Sequence, residues 1–406
     1  MSQIDRRIEP ATLRGEAQFN LEEVFFSRTD DRGVIQAGNH VFARVANYDW
    51  AELQGAPHKL IRHPDMPKGV FQLFWDTLKS GKSIGAYVKN RSKDGLFYWV
   101  FAVAMPCEGG YLSARIKPSS PMLTIIEKEY AALRKAEQGG NLSPEDSARR
   151  LLARLAELGF EDYPAFASHA LSEELLARDK GLNKVTDQRI SDYRVMLKNA
   201  EALTKETDAL VQEFEAMRTI PHNLRVIASR IEPAGGPVTV LSQNYGTMSR
   251  EMSEWFEHNV LGENSNFSAI KGTISHSLFV QGVARILNEC DEHIKVETQH
   301  VEGVDMDHER KVLGRLILRQ NVQAASGLKE VGAEADRILN ACDVMHRHFL
   351  GLSSTRVLCK IESARLSTEG EALTAIIDQL GVFQERISAQ LGRIDQLGTE
   401  IRAFEH

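Results

Sequence analysis

Val88-Lys89-Asn90-Arg91-Ser92-Lys93-Asp94-Gly95-Leu96-Phe97-Tyr98-Trp99-Val100-Phe101-Ala102-Val103 decides the architecture of the first part of this chain. Asp94-Gly95 stands between two β-prone runs. Asp-Gly readily adopts turn backbone, so the stretch reads as an antiparallel hairpin. Working outward, short apolar runs recur at Val24-Phe25-Phe26 and Gly33-Val34-Ile35. Turn-forming clusters separate the runs, at Thr29-Asp30-Asp31-Arg32-Gly33 and Glu108-Gly109-Gly110. Helix-like spacing fills 39–45 and 67–79 between the strand runs. The reading is a small α+β domain with an antiparallel sheet, over residues 18–120.

At Pro118-Ser119-Ser120-Pro121 the texture changes, and the remainder reads as helix. Residues 121–195 form a helical connector, broken near Gly159 and Pro164. Ser143-Pro144-Glu145-Asp146 marks a helix start: a Ser cap, Pro in the first turn, and acids at the positive end of the dipole. Residues 196–406 form a hairpin or coiled-coil region. There Met196, Ala200, Leu203, Thr207, Leu210, Phe214 and Met217 alternate steps of four and three, the spacing of a coiled-coil seam. Pro221 falls on its continuation, where a kink is expected. The seam stops at Glu232-Pro233-Ala234-Gly235-Gly236-Pro237 and restarts at Val238, which predicts a tight antiparallel turn. A second seam runs from Leu373 to Ile401. Cys359–Arg365 echoes Ser229–Ala234, so one hairpin unit is read as repeated. Two hairpins in one chain would then build a four-helix bundle; chance similarity between heptad helices is the other reading.

The totals narrow the function. A net charge of -7 with no Lys/Arg block leaves no footprint for nucleic acid. Cys107, Cys290, Cys342 and Cys359 are widely spaced, so neither a zinc site nor a disulfide framework is expected. No apolar run is long enough to span a bilayer, and residues 1–10 lack a signal-peptide core; a cytoplasmic location is expected. No P-loop, HExxH, GxSxG or kinase glycine loop occurs, and His346 and His348 fall on different helix faces. The expectation is a protein without catalytic activity.

The most specific string is Pro57-His58-Lys59-Leu60-Ile61-Arg62-His63-Pro64-Asp65-Met66-Pro67. Phe74-Trp75-Asp76-Thr77-Leu78 and then Val88–Gly95 follow it, with Thr29-Asp30, Asn39 and Glu52-Leu53-Gln54-Gly55 upstream. In order and spacing these residues resemble the PAS domain of bacterial aerotaxis receptors, over residues 22–117. The resemblance implies a bound FAD that reports redox state. It makes Asn39, Arg62, His63, Asp65 and Trp75 the cofactor-binding positions. Their chemistry suits a flavin, since Arg62 can meet an anion, Asn39 a flavin edge, and Trp75 a planar ring. This chain has Ile84 where the family usually has Trp, Ala86 for Gly, and a bulkier Tyr87.

Each position also has a plain structural reading. Trp75 suits a core, His63 and Asp65 the cap of the next helix, and Asn39 a loop or helix cap. His58 or His63 as axial ligand would instead make the cofactor haem. Ile361-Glu362-Ser363-Ala364-Arg365 resembles the hairpin tip of methyl-accepting chemotaxis proteins, although the glycine-rich turn and paired methylation stretches of that family are missing. The expected output partner is therefore a chemotaxis-type or other regulatory protein, and the expected assembly a homodimer. The alternative function is a scaffold that uses an empty PAS domain for dimerisation.

Overall fold

The computed structural model describes residues 15–140, 142–217, 220–231, 236–256, 266–299, 301–364 and 370–405. Strands β1 (Val24–Thr29), β2 (Ile35–Gly38), β3 (Ile84–Arg91), β4 (Phe97–Cys107) and β5 (Gly110–Ile116) form one antiparallel sheet in the order β2-β1-β5-β4-β3. The hairpin at Asp94-Gly95 is present. Its strands pair Val88 with Val100 and close at Arg91–Phe97, so the loop is longer than a two-residue turn. Gly95 sits at φ 97°, in the left-handed region that glycine enters without strain. The Ser92 hydroxyl ties the loop together by bonding the Leu96 carbonyl and the Asp94 carboxylate.

Between β2 and β3 lie α1 (His40–Ala46), α2 (Trp50–Leu53), a 3-10 turn (His58–Ile61) and α3 (Lys68–Lys79). They cover one face of the sheet. Phe25, Ile35, Phe42, Leu53, Ile61, Tyr98 and Val100 form a core there, each at most 1% exposed. This is the expected α+β domain, followed by a mostly helical region.

The helices after the sheet are α4 (Met122–Gly140), α5 (Pro144–Glu157), α6 (Tyr163–Gly181), α7 (Gln188–Met217), α8 (Ile220–Ile231), α9 (Pro237–Phe256), α10 (Asn266–Val296), α11 (Met306–Ser363) and α12 (Gly370–Arg402). Ser143 caps α5 by accepting from the Asp146 N–H, with Pro144 in the first turn. The breaks near Gly159 and Pro164 separate α5 from α6.

The chain divides into two compact units. The first runs through Ser191 and also takes Ser275–Ala325; the second holds Asp192–Ile274 and Ser326–His406. The expected boundary at 195/196 lies near the first of these limits. Residues 275–325, read from sequence as part of the helical region, pack with the sheet unit instead. Charge pairing shows why. Arg28 of β1 makes a bidentate contact with Glu309 of α11 at 2.6 and 2.7 Å. Arg178 of α6 bonds Glu289 of α10 at 2.9 Å and the Glu22 carbonyl at 2.9 Å. Arg285 of α10 pairs with the buried Asp179. Buried charges need such partners, and these partners lie far apart in sequence.

The outer face of the sheet, away from α1–α3, is covered by helices of this same unit. Tyr87 of β3 donates to Glu174 of α6 at 2.6 Å. The same carboxylate accepts from the Ser120 hydroxyl at 2.6 Å and from the Ser119 and Ser120 N–H groups at 2.6 and 3.0 Å. A carboxylate buried this deeply is tolerated because both of its oxygens accept hydrogen bonds. This network gives the buried Tyr87 hydroxyl its partner.

In the second unit both predicted seams are inward. Met196, Ala200, Leu203, Leu210 and Phe214 are buried, as are Leu373, Ile377, Leu380, Ile387, Leu391, Ile394 and Ile401. Pro221 lies within α8, and residues 218 and 219 just before it, on which the expected kink bears, lie outside the described residues. Asn199–Glu400, Glu206–Arg393 and Glu213–Arg386 meet at 3.0, 2.9 and 3.2 Å. Numbers rise along α7 as they fall along α12, so the two run antiparallel. At the far side a Cβ on Gly351 of α11 would meet Met248 of α9. The two hairpins therefore pack as a helical bundle inside one chain. The turn residues 232–235 and the tip residues 365–369 lie outside the described residues.

Candidate functional site

A cavity of about 240 Å³ lies between the inner face of the sheet and α3. Strand alternation builds its floor. Ser27 and Thr29 of β1, Val88 and Asn90 of β3, Ala102 and Ala104 of β4, and Tyr111, Ser113 and Arg115 of β5 all face it. Helix periodicity builds its wall: Phe71, Phe74, Trp75 and Leu78 project from α3 at steps of three and four. Trp75 meets Tyr111 edge to face at 5.5 Å, which fixes the indole against the sheet. Pro57, His58, Lys59 and Arg62 close one side, and Arg32 and Gly33 another.

The cavity holds two guanidiniums, one buried and one half-buried. Arg115 is 4% exposed. Its Nη2 donates to Ser27 Oγ at 2.5 Å and contacts His58 Nε2 at 2.7 Å. Burial lowers its pKa from 12.5 to about 10. Arg62 lies 3.4 Å over the Phe71 ring, and burial lowers its pKa too. His58 stacks flat on Phe42 at 5.9 Å. Burial, with Arg115 and Arg62 beside it, holds its pKa well below 6.5, so the ring is neutral. No carboxylate lines the cavity. Arg62 Nε, Arg115 Nη1 and Ser113 Oγ are buried and have no hydrogen-bond partner in the protein. Orphaned buried donors are costly, and here they converge on one space.

Of the positions taken from the resemblance, Arg62 and Trp75 line this cavity. Asn39 does not. It is 1% exposed and spends its amide on backbone: Oδ1 accepts from Phe26 and Phe42 N–H at 3.0 and 3.2 Å, and Nδ2 donates to the Val24 carbonyl at 2.9 Å. It is the N-cap of α1 and a tie to β1, the helix-cap reading. His63 and Asp65 also stand outside the cavity wall. His63 Nδ1 accepts from the Asp65 N–H at 3.1 Å, and Asp65 pairs with Lys89 at 2.9 Å with its side chain 64% exposed. These contacts shape the loop into α3. As for haem ligands, His63 does not line the cavity, and the Nε2 of His58 is engaged by Arg115.

Sequence reading missed Arg115, Ser27 and Ser113 as site residues. The signal was period-two alternation along β5, which puts Tyr111, Ser113 and Arg115 on one face. Ile84, in place of the usual Trp, is buried opposite Ala104 and does not line the cavity. Among the described residues no group of three His, Cys, Asp or Glu is arranged to hold a metal, and no helix is long and apolar enough to cross a membrane.

The PAS fold model matches residues 37–110. Over 117 residues, 28% of this chain, the sequence is 42% identical to the aerotaxis receptor of Escherichia coli (strain K12). The match takes in 23% of that receptor's length. Among solved structures, a light-oxygen-voltage domain studied with a flavin analogue aligns at TM-score 0.23 and 18% identity, covering 26% of this chain and 84% of that one. A blue-light activated histidine kinase from Erythrobacter litoralis aligns at TM-score 0.24 and 10% identity, covering 39% of this chain and 53% of that one. Residues 37–110 are thus a PAS domain similar to that of the aerotaxis receptor, carried on a chain whose remainder is mostly helical.

Proposed function

We propose that this chain is a non-catalytic sensor that binds FAD in the PAS cavity and reports redox state or oxygen through its helices. The observation that carries the reading is the pair of guanidiniums, the buried Arg115 and the half-buried Arg62, facing an aromatic-walled cavity with no carboxylate. Such a cavity suits a planar ring with acceptor atoms along one edge. The isoalloxazine ring has that shape and those acceptors. The 42% identity to the aerotaxis receptor supports the same choice.

The residues present fit the group. Trp75, Phe71 and Phe74 would pack on the ring faces. The orphaned Arg62 Nε, Arg115 Nη1 and Ser113 Oγ would donate to its acceptors. A bound flavin supplies a redox couple whose reduction adds electrons to the ring. The chain's own part is electrostatic. Both guanidiniums favour added negative charge, and the buried Arg115 does so more strongly than it would in solution. His58, neutral, accepts from Arg115 through Nε2 and so helps to hold that guanidinium in place. The aerotaxis resemblance makes a chemotaxis-type or other regulatory protein the proposed partner, the cytoplasm the proposed location and a homodimer the proposed assembly.

The test is a titration of the purified full chain with FAD, FMN and haemin. FAD is expected to bind saturably, and Arg62→Ala and Trp75→Ala are each expected to weaken it by about tenfold or more, the value of one charge-assisted bond or one ring contact. Saturable haemin binding with no flavin binding would replace the reading with a haem sensor. Binding of neither would leave a scaffold with an empty PAS domain.

A further inference from the structure

We propose that Glu137, on α4 beyond the PAS domain, is the positioning residue for the cavity helix α3 and links the cavity to the α4–α5 pair. The proposal rests on the reading of the cavity as a ligand site.

The case begins with a missing cap. α3 starts after Pro67, whose side chain offers no acceptor, and its first turn has no acidic residue. The first N–H groups of a helix need partners. Here they find one on another helix: Lys68 and Gly69 N–H donate to Glu137 Oε1 at 2.7 and 3.3 Å. The Glu137 side chain is fully buried. Its Oε1 also accepts from the Ser147 hydroxyl of α5 at 2.5 Å, and Oε2 pairs with Arg134 at 3.2 Å. Arg134 Nε in turn donates to the Pro64 carbonyl at 3.0 Å.

Packing closes the joint. A Cβ on Gly69 would stand 2.5 Å from the Ser147 carbonyl carbon, so α3 and α5 touch at backbone distance. Two residues on, Phe71 carries the Arg62 guanidinium, and Trp75 follows one turn later. The same short helix therefore holds the cavity wall at one end and is gripped by α4 and α5 at the other. A ligand that shifts Phe71 or Arg62 shifts the donors that Glu137 holds.

Hydrogen exchange on the full chain, with and without FAD, tests this. In the unsubstituted chain FAD is expected to slow exchange across 68–79 and, with it, across 130–150. In Glu137→Gln the slowing at 68–79 persists and the slowing at 130–150 falls by about tenfold, the value of a charge-assisted bond. Ser147→Ala, a milder change at the same oxygen, is expected to lie between the two. FAD protection of 130–150 that is unchanged in Glu137→Gln overturns the proposal, as does protection confined to 68–79 in the unsubstituted chain. If FAD protects neither segment, the flavin reading fails, and Phe71→Leu then serves as the perturbation. Faster exchange at 130–150 that Glu137→Gln abolishes supports the link, and unchanged exchange there overturns it.

Discussion

Replacing Arg115 by Met should stabilise the ligand-free protein while weakening flavin binding, a combination that an ordinary core residue would not give. Arg115 is 4% exposed and has no carboxylate in the cavity. Its pKa falls from 12.5 to about 10 because burial strips water from the charge. At about 1.4 kcal/mol for each tenfold change in proton affinity, that fall corresponds to about 3 kcal/mol of strain carried by the folded state. Arg115→Met removes this cost in a side chain of similar length. It also forfeits the bonds to Ser27 and His58, at about 1 kcal/mol each. The balance is a gain of about 1 kcal/mol, or a Tm rise of about 2–4 °C for a unit of this size. With ligand the sign reverses. Loss of a charge-assisted donor costs about 1.5–3 kcal/mol, or roughly tenfold to a hundredfold in Kd. The assay is thermal unfolding of the ligand-free chain beside an FAD titration. A lower Tm together with FAD affinity within about twofold of the unsubstituted chain would refute the reasoning and make Arg115 a structural residue.

Other outcomes follow from the same contacts. Asn39→Ala should cost about 2–3 kcal/mol in stability, since it removes a cap and strands the buried Phe26 N–H; chemical denaturation measures it. FAD affinity referred to the folded fraction should change little, because Asn39 does not line the cavity. Tyr87→Phe should cost about 1–2 kcal/mol by leaving one Glu174 oxygen short of a donor, again read by chemical denaturation. Burial holds His58, His63 and His293 below their ordinary pKa of 6.5. Their folded forms thus bind protons less readily than the unfolded chain does. Stability should be full above about pH 6.5 and fall as pH drops toward the folded values, by at most ~1.4 kcal/mol per pH unit for each histidine. His58→Asn should flatten that fall as read by Tm against pH.

Local chemistry made part of this molecule legible. Asp94-Gly95 between β-prone runs gave the β3–β4 hairpin, Ser143-Pro144 gave the start of α5, and strict four-three spacing gave the buried faces of α7 and α12. Of the five positions taken from the resemblance, Arg62 and Trp75 line the cavity. Asn39 could be read as a cap or a flavin contact from sequence, and three-dimensional bonding decides for the cap. Arg115 stayed hidden because one cation in an otherwise apolar strand looks like a surface residue until the sheet's two faces are assigned. The membership of 275–325 in the first unit was equally hidden. It depends on Arg28 meeting Glu309 and Arg178 meeting Glu289, partners that no local pattern connects. Glu137 carries no sequence signal at all, because a carboxylate that caps another helix looks like any helical glutamate.

The measurement that tests the central claim most directly is the visible absorption spectrum of the freshly purified full chain, before and after dithionite. Twin flavin bands that bleach on reduction and return in air are the expected result. A Soret band would contradict the flavin assignment and turn attention to the histidines. A colourless protein that also fails to take up added FAD would contradict redox sensing itself.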